Sequence, residues 1–359
     1  MERKSVLNIF KPKSRSILGI DISSSSVKIL EISDSGEKLC VEGYGREVLP
    51  LNALDGNVIK DIEAVANCIK KLVDRSKISS KRVALAVPDS AVITKIVQIN
   101  DDLNDEEMEE LVIIEADKYI PYPIDEINLD FEILGHSAKN SSMLDVLIVA
   151  SRAENVNSRV EAITLAGLEA TVVDVESYAV ERAAQQLVQD LHVDGQDKII
   201  AIIDIGARFC HLFVMYGMKL IFSREEKFGG MQLIDAIAEQ YKMTPEQALE
   251  ARAQGTLPAD YEHEVLAPFK EMLLLQIKRT LQFFYSTSQH GAVDHILLAG
   301  GLARLSGLDK LIQEQLGVIT SVANPLSKMS INRMVNSDVM CNDAPSLMVA
   351  CGLALRNIE

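Results

Sequence analysis

Ile17-Leu18-Gly19-Ile20-Asp21-Ile22-Ser23-Ser24-Ser25-Ser26-Val27-Lys28-Ile29-Leu30-Glu31-Ile32 is the stretch from which the fold is read. Two apolar runs separated by a serine-rich tetrad predict two β-strands joined by a tight turn, with an aspartate ending the first and a lysine just inside the second. Small hydroxyl residues in such a turn leave backbone N–H groups free to converge on one object, and phosphate is the usual object. Asp21 faces the same spot, where a carboxylate is tolerated if a cation such as Mg²⁺ shares the site. Lys28 supplies a point charge for phosphate oxygens. Serine-rich hairpin turns also occur as plain structure, so two later stretches carry the weight.

The first is Ile199-Ile-Ala-Ile-Ile-Asp204-Ile-Gly206-Ala-Arg208-Phe209-Cys210-His211-Leu-Phe-Val214, again an apolar strand, an aspartate, a short turn and a second strand. Asp21 and Asp204 hold matching positions, so the two hairpins indicate an internal duplication with one hairpin opening each half. The second is His295-Ile-Leu-Leu-Ala299-Gly300-Gly301, a buried strand running into paired glycines and then a helix. That arrangement lets backbone approach a flat base or a ribose. Phe228-Gly229-Gly230-Met231 sets another glycine pair at a helix start, where N–H groups can approach a phosphate. Together the three stretches predict one shared nucleotide site.

Composition sets the frame. A chain of 359 residues exceeds what one core usually covers, so two or more subdomains are expected. No apolar run approaches the ~18 residues that span a bilayer, and Met1 to Arg15 has no signal-peptide character. Cys40, Cys68, Cys210, Cys341 and Cys351 lie far apart without a CxxC pair, which predicts reduced thiols in a cytosolic protein. The six histidines lack ligand spacing, so a side-chain metal cage is not expected. The net charge of −16 argues against a nucleic-acid binder. Residues 1–16 carry +4 of their own, through Arg3, Lys4, Lys11, Lys13 and Arg15 against Glu2, and leave −20 for the rest. This basic arm, with Val6, Leu7, Ile9 and Phe10, reads as a solvated terminus or as a contact for an anionic membrane surface.

Between the hairpins the pattern alternates helices and strand pairs. Ile59, Ile62, Val65, Ile69, Leu72 and Val73 stripe a helix over 57–75; strands follow at Arg82–Val87 and Ala91–Ile99, turned by Pro88-Asp89-Ser90. Asn104 to Glu107 starts a helix with a capping-box pattern, which Pro121 and Pro123 stop. Two more strands, over 127–133 and 143–150, lead to a helix begun at Ser151-Arg-Ala-Glu154, then a strand at Leu168–Val175 and a helix opened by Glu176. The stretch 45–167 therefore reads as an inserted α+β unit.

These residues resemble the actin/Hsp70/sugar-kinase superfamily, whose duplicated halves clamp ATP-Mg²⁺. Within it they look most like the PilM type, the actin-like protein of type IV pilus assembly. The resemblance covers essentially the whole chain. It includes Ile9-Phe-Lys-Pro-Lys13 before the first hairpin, Tyr119-Ile-Pro-Tyr122-Pro-Ile-Asp-Glu-Ile-Asn-Leu-Asp-Phe131, Val173-Asp-Val-Glu176-Ser-Tyr-Ala179, Phe228-Gly-Gly230 and Leu298-Ala-Gly-Gly301. The tyrosine-proline segment is its most family-specific part, because nucleotide contacts do not demand it.

The resemblance implies an α/β actin-like fold of two RNase H-like halves with an inserted ferredoxin-like or SHS2-type subdomain. The first half would comprise 17–44, 168–198 and 321–359, and the second 199–320 with a helical part near 231–290. Ser23, Ser24, Ser25, Ser26 and Lys28 would hold phosphates, with Gly206 in the second phosphate turn. Asp21 and Asp204 would hold Mg²⁺ mostly through water, and Glu176 would orient the attacking water. Gly229, Gly230, Gly300 and Gly301 would line ribose and adenine, and Arg252 the adenine edge, although Leu249 stands where an acidic residue is expected beside the ribose. Arg208, Phe209 and Cys210 occupy the second phosphate turn, where small residues are usual, so transition-state stabilisation should suffer more than binding. That predicts a nucleotide-binding scaffold with slow or no turnover.

The implied partner is the N-terminal cytoplasmic peptide of a PilN-like inner-membrane protein, docking beside the inserted unit at Tyr119 and Tyr122, with pilus assembly ATPases as further partners. The protein would then sit at the cytoplasmic face of the inner membrane. An FtsA-like cell-division homologue would carry a basic amphipathic tail, where this sequence reads Arg356-Asn-Ile-Glu359 after an apolar helix. A small-molecule kinase of the same superfamily would need an acidic base and a polar substrate pocket, which no residue singles out.

Overall fold

Each aspartate hairpin seeds its own sheet, and the two sheets have one topology. The computed structural model describes residues 16–36, 38–187 and 198–356. In the first half β1 (Leu18–Ile22), β2 (Ser26–Asp34) and β3 (Leu39–Val48) form an antiparallel meander. A two-rung ladder, β4 (Leu54–Asp55) and β5 (Val58–Ile59), precedes helix α1 (Ile62–Ser76), and β6 (Arg82–Val87) then joins β1 in parallel. The chain leaves this sheet through β7 (Val92–Asn100), α2 (Asp105–Asp117), β8 (Ile127–Ser137) and β9 (Asn140–Arg152). It returns through α3 (Ala153–Leu165) to β10 (Glu169–Val175), parallel to β6, and to α4 (Glu176–Ala184).

The second half repeats the plan. β11 (Ile199–Ile205), β12 (Cys210–Tyr216) and β13 (Lys219–Glu226) form the meander. After α5 (Gly230–Tyr241), α6 (Pro245–Gln254) and α7 (Ala267–Thr287), β14 (His295–Ala299) joins β11 in parallel. Helix α8 (Leu308–Leu316) leads to β15 (Ile319–Val322), parallel to β14. The orders are thus β3-β2-β1-β6-β10 and β13-β12-β11-β14-β15. The chain then crosses back: β16 (Ser330–Ile331) pairs with β3, and α9 (Ser337–Asp343) and α10 (Met348–Ala354) follow.

The central strands β1 and β11 are buried almost throughout, as expected of strands covered on both faces, and that is why their sequences run apolar instead of alternating. On one face of the first sheet Ile20, Ile29 and Leu85 meet Val65, Ile69 and Leu72 of α1 and Ile163 of α3. On the other face α10 packs against β1 and α4 so closely that a Cβ on Gly352 would stand 1.7 Å from the Ala179 carbonyl oxygen. A third apolar layer takes residues from both halves, among them Leu30, Ile32, Val180, Ile202, Phe213, Leu297 and Met348. This shared layer holds the halves against each other.

The stretch expected as one insertion over 45–167 divides. Strand β6 is hydrogen-bonded to β1, and α1 and α3 pack on the first sheet, so the separate unit spans only β7 to β9. Pro88-Asp89-Ser90 joins two different sheets, whereas the local pattern of two strands and a turn reads as a hairpin. Periodicity names a strand but not its partner. The inserted unit runs strand, helix, strand, strand, with α2 covering the three-stranded sheet β7-β9-β8 through Met108, Val112 and Ala116. That order fits the SHS2-type alternative and lacks the second helix of a ferredoxin-like unit. The expected capping box is present: Glu107 N–H donates to the Asn104 side chain at 3.0 Å, and Asn104 N–H to Glu107 at 3.1 Å. Ser151 does not cap α3; it lies in β9 and its hydroxyl donates to the Ala91 carbonyl at 2.8 Å. The return to the first half falls after Val322, since β15 still belongs to the second sheet. Among the described residues no helix is long and apolar enough to cross a membrane. The basic arm, apart from Ser16, lies outside the described residues.

Candidate functional site

Both hairpin turns open into one cavity of about 270 Å³ between the halves. Asp21, Ser23 to Ser26 and Lys28 line it from the first half, Glu176 from the start of α4, and Asp204, Gly206, Gly230, Arg252, Gly300 and Gly301 from the second. Residues up to 280 positions apart are therefore gathered at the carboxyl ends of β1 and β11, where open α/β sheets bind ligands.

In the first turn Ser23 N–H and its hydroxyl both donate to the Ser26 carbonyl, at 3.1 and 2.9 Å. Among the described residues no backbone hydrogen bond takes up the N–H of Ser24 or Ser25, which leaves those amides for a ligand. Asp21 and Lys28 are cross-strand partners, and the Lys28 ammonium donates to Asp21 Oδ2 at 2.7 Å and to Ser23 Oγ at 3.3 Å. Both are almost fully buried, at 4% and 8% exposed, so each compensates the other's desolvation.

The second turn is built differently. Gly206 N–H donates to the Phe209 carbonyl at 2.9 Å, and Arg208 and Phe209 line the cavity, whereas Cys210 is buried toward the core of its half beside Ile203 and Leu212. The cross-strand partner of Asp204 is His211, at the same seven-residue spacing that separates Asp21 from Lys28. His211 lines the cavity but turns to Glu225, its own neighbour on β13, with Nε2 2.8 Å from Glu225 Oε2. Burial alone would lower the imidazole pKa; the Glu225 hydrogen bond and the charges of Glu176, Asp204 and Glu225 overcome this and raise it to about 9. His211 was not singled out by the sequence, and its spacing from Asp204, matching Asp21 to Lys28, is the signal that could have found it.

Glu176 sits at the first turn of α4, where burial raises its carboxyl pKa to about 8; His211 and Arg159 oppose the shift, while Asp21 and Asp89 add to it. Burial likewise raises Asp204, against the nearby charges of His211 and Lys28. Behind them Asp89 and Arg159 each keep one buried polar atom, Oδ2 and Nε, without a hydrogen-bond partner among the described residues. The Arg159 guanidinium donates to the carbonyls of Asn57 at 2.8 Å and Asn155 at 3.0 Å, and burial lowers its pKa.

The glycines divide by role. Gly300 has φ +85° and a Cβ there would lie 2.5 Å from both Asp204 Oδ1 and the Ile205 carbonyl oxygen, so only glycine lets β14 close against the carboxylate. Gly301 and Gly230 line the cavity and Gly229 does not. The N–H groups at the start of α5 are not free for phosphate: Gly229 donates to Gln232 Oε1 at 2.8 Å, Gly230 to the Gly206 carbonyl at 3.0 Å and Met231 to the Ala207 carbonyl at 2.7 Å. This glycine pair serves to bring α5 against the second turn.

Tyr119 and Tyr122 lie apart from the cleft. Tyr122 lines a groove of about 130 Å³ with Ser90, Ile93, Ile120, Arg152 and Asn155, between the root of the inserted unit and α3. Its ring faces the Arg152 guanidinium at 5.2 Å. Tyr119 is exposed outside that groove, with Lys95 Nζ 4.9 Å from its ring.

A family model described as type IV pilus assembly protein PilM matches residues 19–358. A solved structure described as the PilM-PilN type IV pilus biogenesis complex is 28% identical, with a TM-score of 0.79 over 96% of this chain and 99% of that one. Ethanolamine utilization protein EutJ from Carboxydothermus hydrogenoformans is 15% identical with a TM-score of 0.57, over 98% of this chain and 92% of that one. MreB 5 of Spiroplasma citri bound to AMPPNP is 14% identical with a TM-score of 0.50, over 95% of each chain. The last two show a shared actin-like fold.

Proposed function

The chain belongs to the family of the type IV pilus assembly protein PilM, and from that premise we propose that it is an actin-like scaffold of pilus assembly that binds ATP-Mg²⁺ between its halves and a short peptide of a PilN-like membrane protein beside its inserted unit. One observation carries the nucleotide half of this reading: a single cavity is lined by both hairpin aspartates, the serine turn and Lys28. The amides of Ser24 and Ser25 would bind phosphate oxygens, and Lys28 would share its ammonium between Asp21 and a phosphate. Among the described residues no group of three His, Cys, Asp or Glu side chains could cage a metal. Asp21 and Asp204 nevertheless would hold Mg²⁺ mostly through water, with Glu176 placed to orient an attacking water. When bound, Mg²⁺ would neutralise charge on the phosphates.

Slow turnover follows from the same residues. Arg208 and Phe209 leave the second turn few small residues over the phosphates. Hydrolysis is expected well below the roughly 1 per second of ordinary kinases. Glu176→Gln should lower it further while sparing binding.

The peptide half rests on the groove lined by Tyr122, and on the PilN partner in the similar solved complex. An amphipathic ring at a preformed groove edge can bury its face against an apolar peptide residue and keep its hydroxyl wet. Binding there would hold the protein at the cytoplasmic face of the inner membrane. The test is a thermal shift with ATP-Mg²⁺, which Asp21→Ala and Asp204→Ala should each reduce; if neither does, the site is misplaced. A labelled PilN-type N-terminal peptide should bind about tenfold more weakly to Tyr122→Ala, a typical loss for an interface aromatic. Unchanged affinity in that variant would move the contact elsewhere.

A further inference from the structure

Glu225 lines neither the cleft nor the groove, yet its carboxylate is hydrogen-bonded to side chains that line both. Oε2 accepts from His211 Nε2 at 2.8 Å and from Asn57 Nδ2 at 2.8 Å, and both of these residues line the cleft. The second Asn57 amide hydrogen goes to Ser90 Oγ at 3.2 Å, and the Ser90 hydroxyl is itself hydrogen-bonded to Glu225. Ser90 lines the groove. It sits in the Asp89–Ala91 turn, from which the chain enters the inserted unit.

The arrangement also crosses between the halves. Glu225 and His211 belong to the second, Asn57 and Ser90 to the first. At the same place Phe209 of the second turn stands 3.6 Å from where a Cβ on Gly56 would be. The β4–β5 ladder thus rests on the second half, and its contact is polar and specific at one carboxylate. Arg159 ties the same ladder to α3, since it reaches the carbonyls of both Asn57 and Asn155, and Asn155 again lines the groove. Burial opposes the charge on Glu225, but the hydrogen bonds from His211, Asn57 and Ser90 outweigh it and hold its pKa down, so the hub stays ionised.

We propose that Glu225 is a positioning residue that couples nucleotide in the cleft to peptide in the groove, by clasping the two halves through Asn57 and fixing Ser90 at the root of the inserted unit. The proposal rests on the functional reading above and adds its regulation. A ligand that draws the halves together stabilises the clasp, the clasp orders Ser90, and an ordered groove edge binds its peptide at lower entropic cost. The coupling is positive, and by linkage the peptide must tighten nucleotide by the same factor.

The experiment uses the full chain, ATP-Mg²⁺ and a synthetic PilN-type N-terminal peptide. Peptide affinity is titrated with and without ATP-Mg²⁺, and amide exchange is followed over residues 88–93. In the wild type ATP-Mg²⁺ should tighten the peptide by about fivefold or more and slow exchange at the turn. In Glu225→Ala each ligand alone should still bind, while the factor falls to within about twofold of one. Glu225→Gln, which keeps the shape and loses the charge, should weaken the coupling and serves if the alanine variant does not fold. A wild-type factor of one, or a factor unchanged in both variants, overturns the relay. Loss of nucleotide binding outright in both variants also overturns it, because Glu225 then belongs to the cleft alone. Absence of any wild-type thermal shift with ATP-Mg²⁺ fells the functional reading itself, and the relay with it; a normal shift without coupling fells only the relay.

Discussion

Across the first sheet the row at the site reads Asp21, Lys28, Arg46, and across the second it reads Asp204, His211, Glu225. The backbone register is the same in both halves, and only the third residue changes the sign of its charge. Opposite Arg46, the Lys28 ammonium turns inward to Asp21. Opposite Glu225, the His211 imidazole turns outward and leaves Asp204 facing the cavity. Like charges directly opposite repel and unlike ones attract, so the edge-side neighbour decides which way the middle cation points. One half has a serine turn beside a buried ion pair, and the other a carboxylate that hydrogen-bonds His211 and, across the halves, Asn57.

The sharpest test of this contrast is to remove each aspartate in turn. Asp21→Ala leaves Lys28 buried without its partner and should destabilise the fold by about 3–5 kcal/mol. Asp204→Ala removes a carboxylate whose charge burial already disfavours, and should change stability by less than about 1 kcal/mol. Denaturant melts of the two variants decide; equal losses would mean that the rows are energetically alike. The next effect is one of pH. His211 holds its proton to about pH 9 in the folded chain and to about 6.5 in the unfolded one, so its contribution is complete below 6.5 and is lost as pH rises through 9. Glu176, at about 8 against 4.5, acts in the same direction. Stability should therefore fall by on the order of 4 kcal/mol between pH 6.5 and 9, about half of it from each group, and His211→Gln should flatten that slope. A stability flat over this window in the wild type would break the assignment.

Glu225→Gln should cost about 1–2 kcal/mol near pH 6.5, where His211 is charged, and much less near pH 9. Chemical denaturation at the two pH values measures the difference. The smallest effect belongs to Arg46, whose side chain is 41% exposed and 3.4 Å from Asp343. Arg46→Gln should change stability by less than about 1 kcal/mol, as for exposed pairs generally. A larger loss would mean that Arg46 does more than steer Lys28.

Much of the cleft was legible because its signals are local. Asp21, the serine tetrad and Lys28 fall within one turn, and Asp204-Ile205-Gly206 and Ala299-Gly300-Gly301 each mark a strand end by spacing alone. The glycine pair before α5 was legible as a helix start but not as a packing device, since its N–H partners Gly206 and Ala207 lie more than twenty residues upstream. Tyr119 and Tyr122 share one segment in the sequence and part company in the structure: Tyr122 lines the groove with Arg152 and Asn155, while Tyr119 lies outside it beside Lys95.

The sequence by itself determined the duplication, the family resemblance and the aspartate hairpins, because a two-residue strand period and a turn are fixed by neighbours in the chain. Tertiary structure alone decided which sheet takes β6, where the inserted unit begins, and which way His211 points. Those outcomes depend on strands brought side by side, as Leu18 meets Val83 and His211 meets Glu225. Local periodicity says which face of a strand is buried; it does not say which strand will lie beside it or what charge that neighbour will carry.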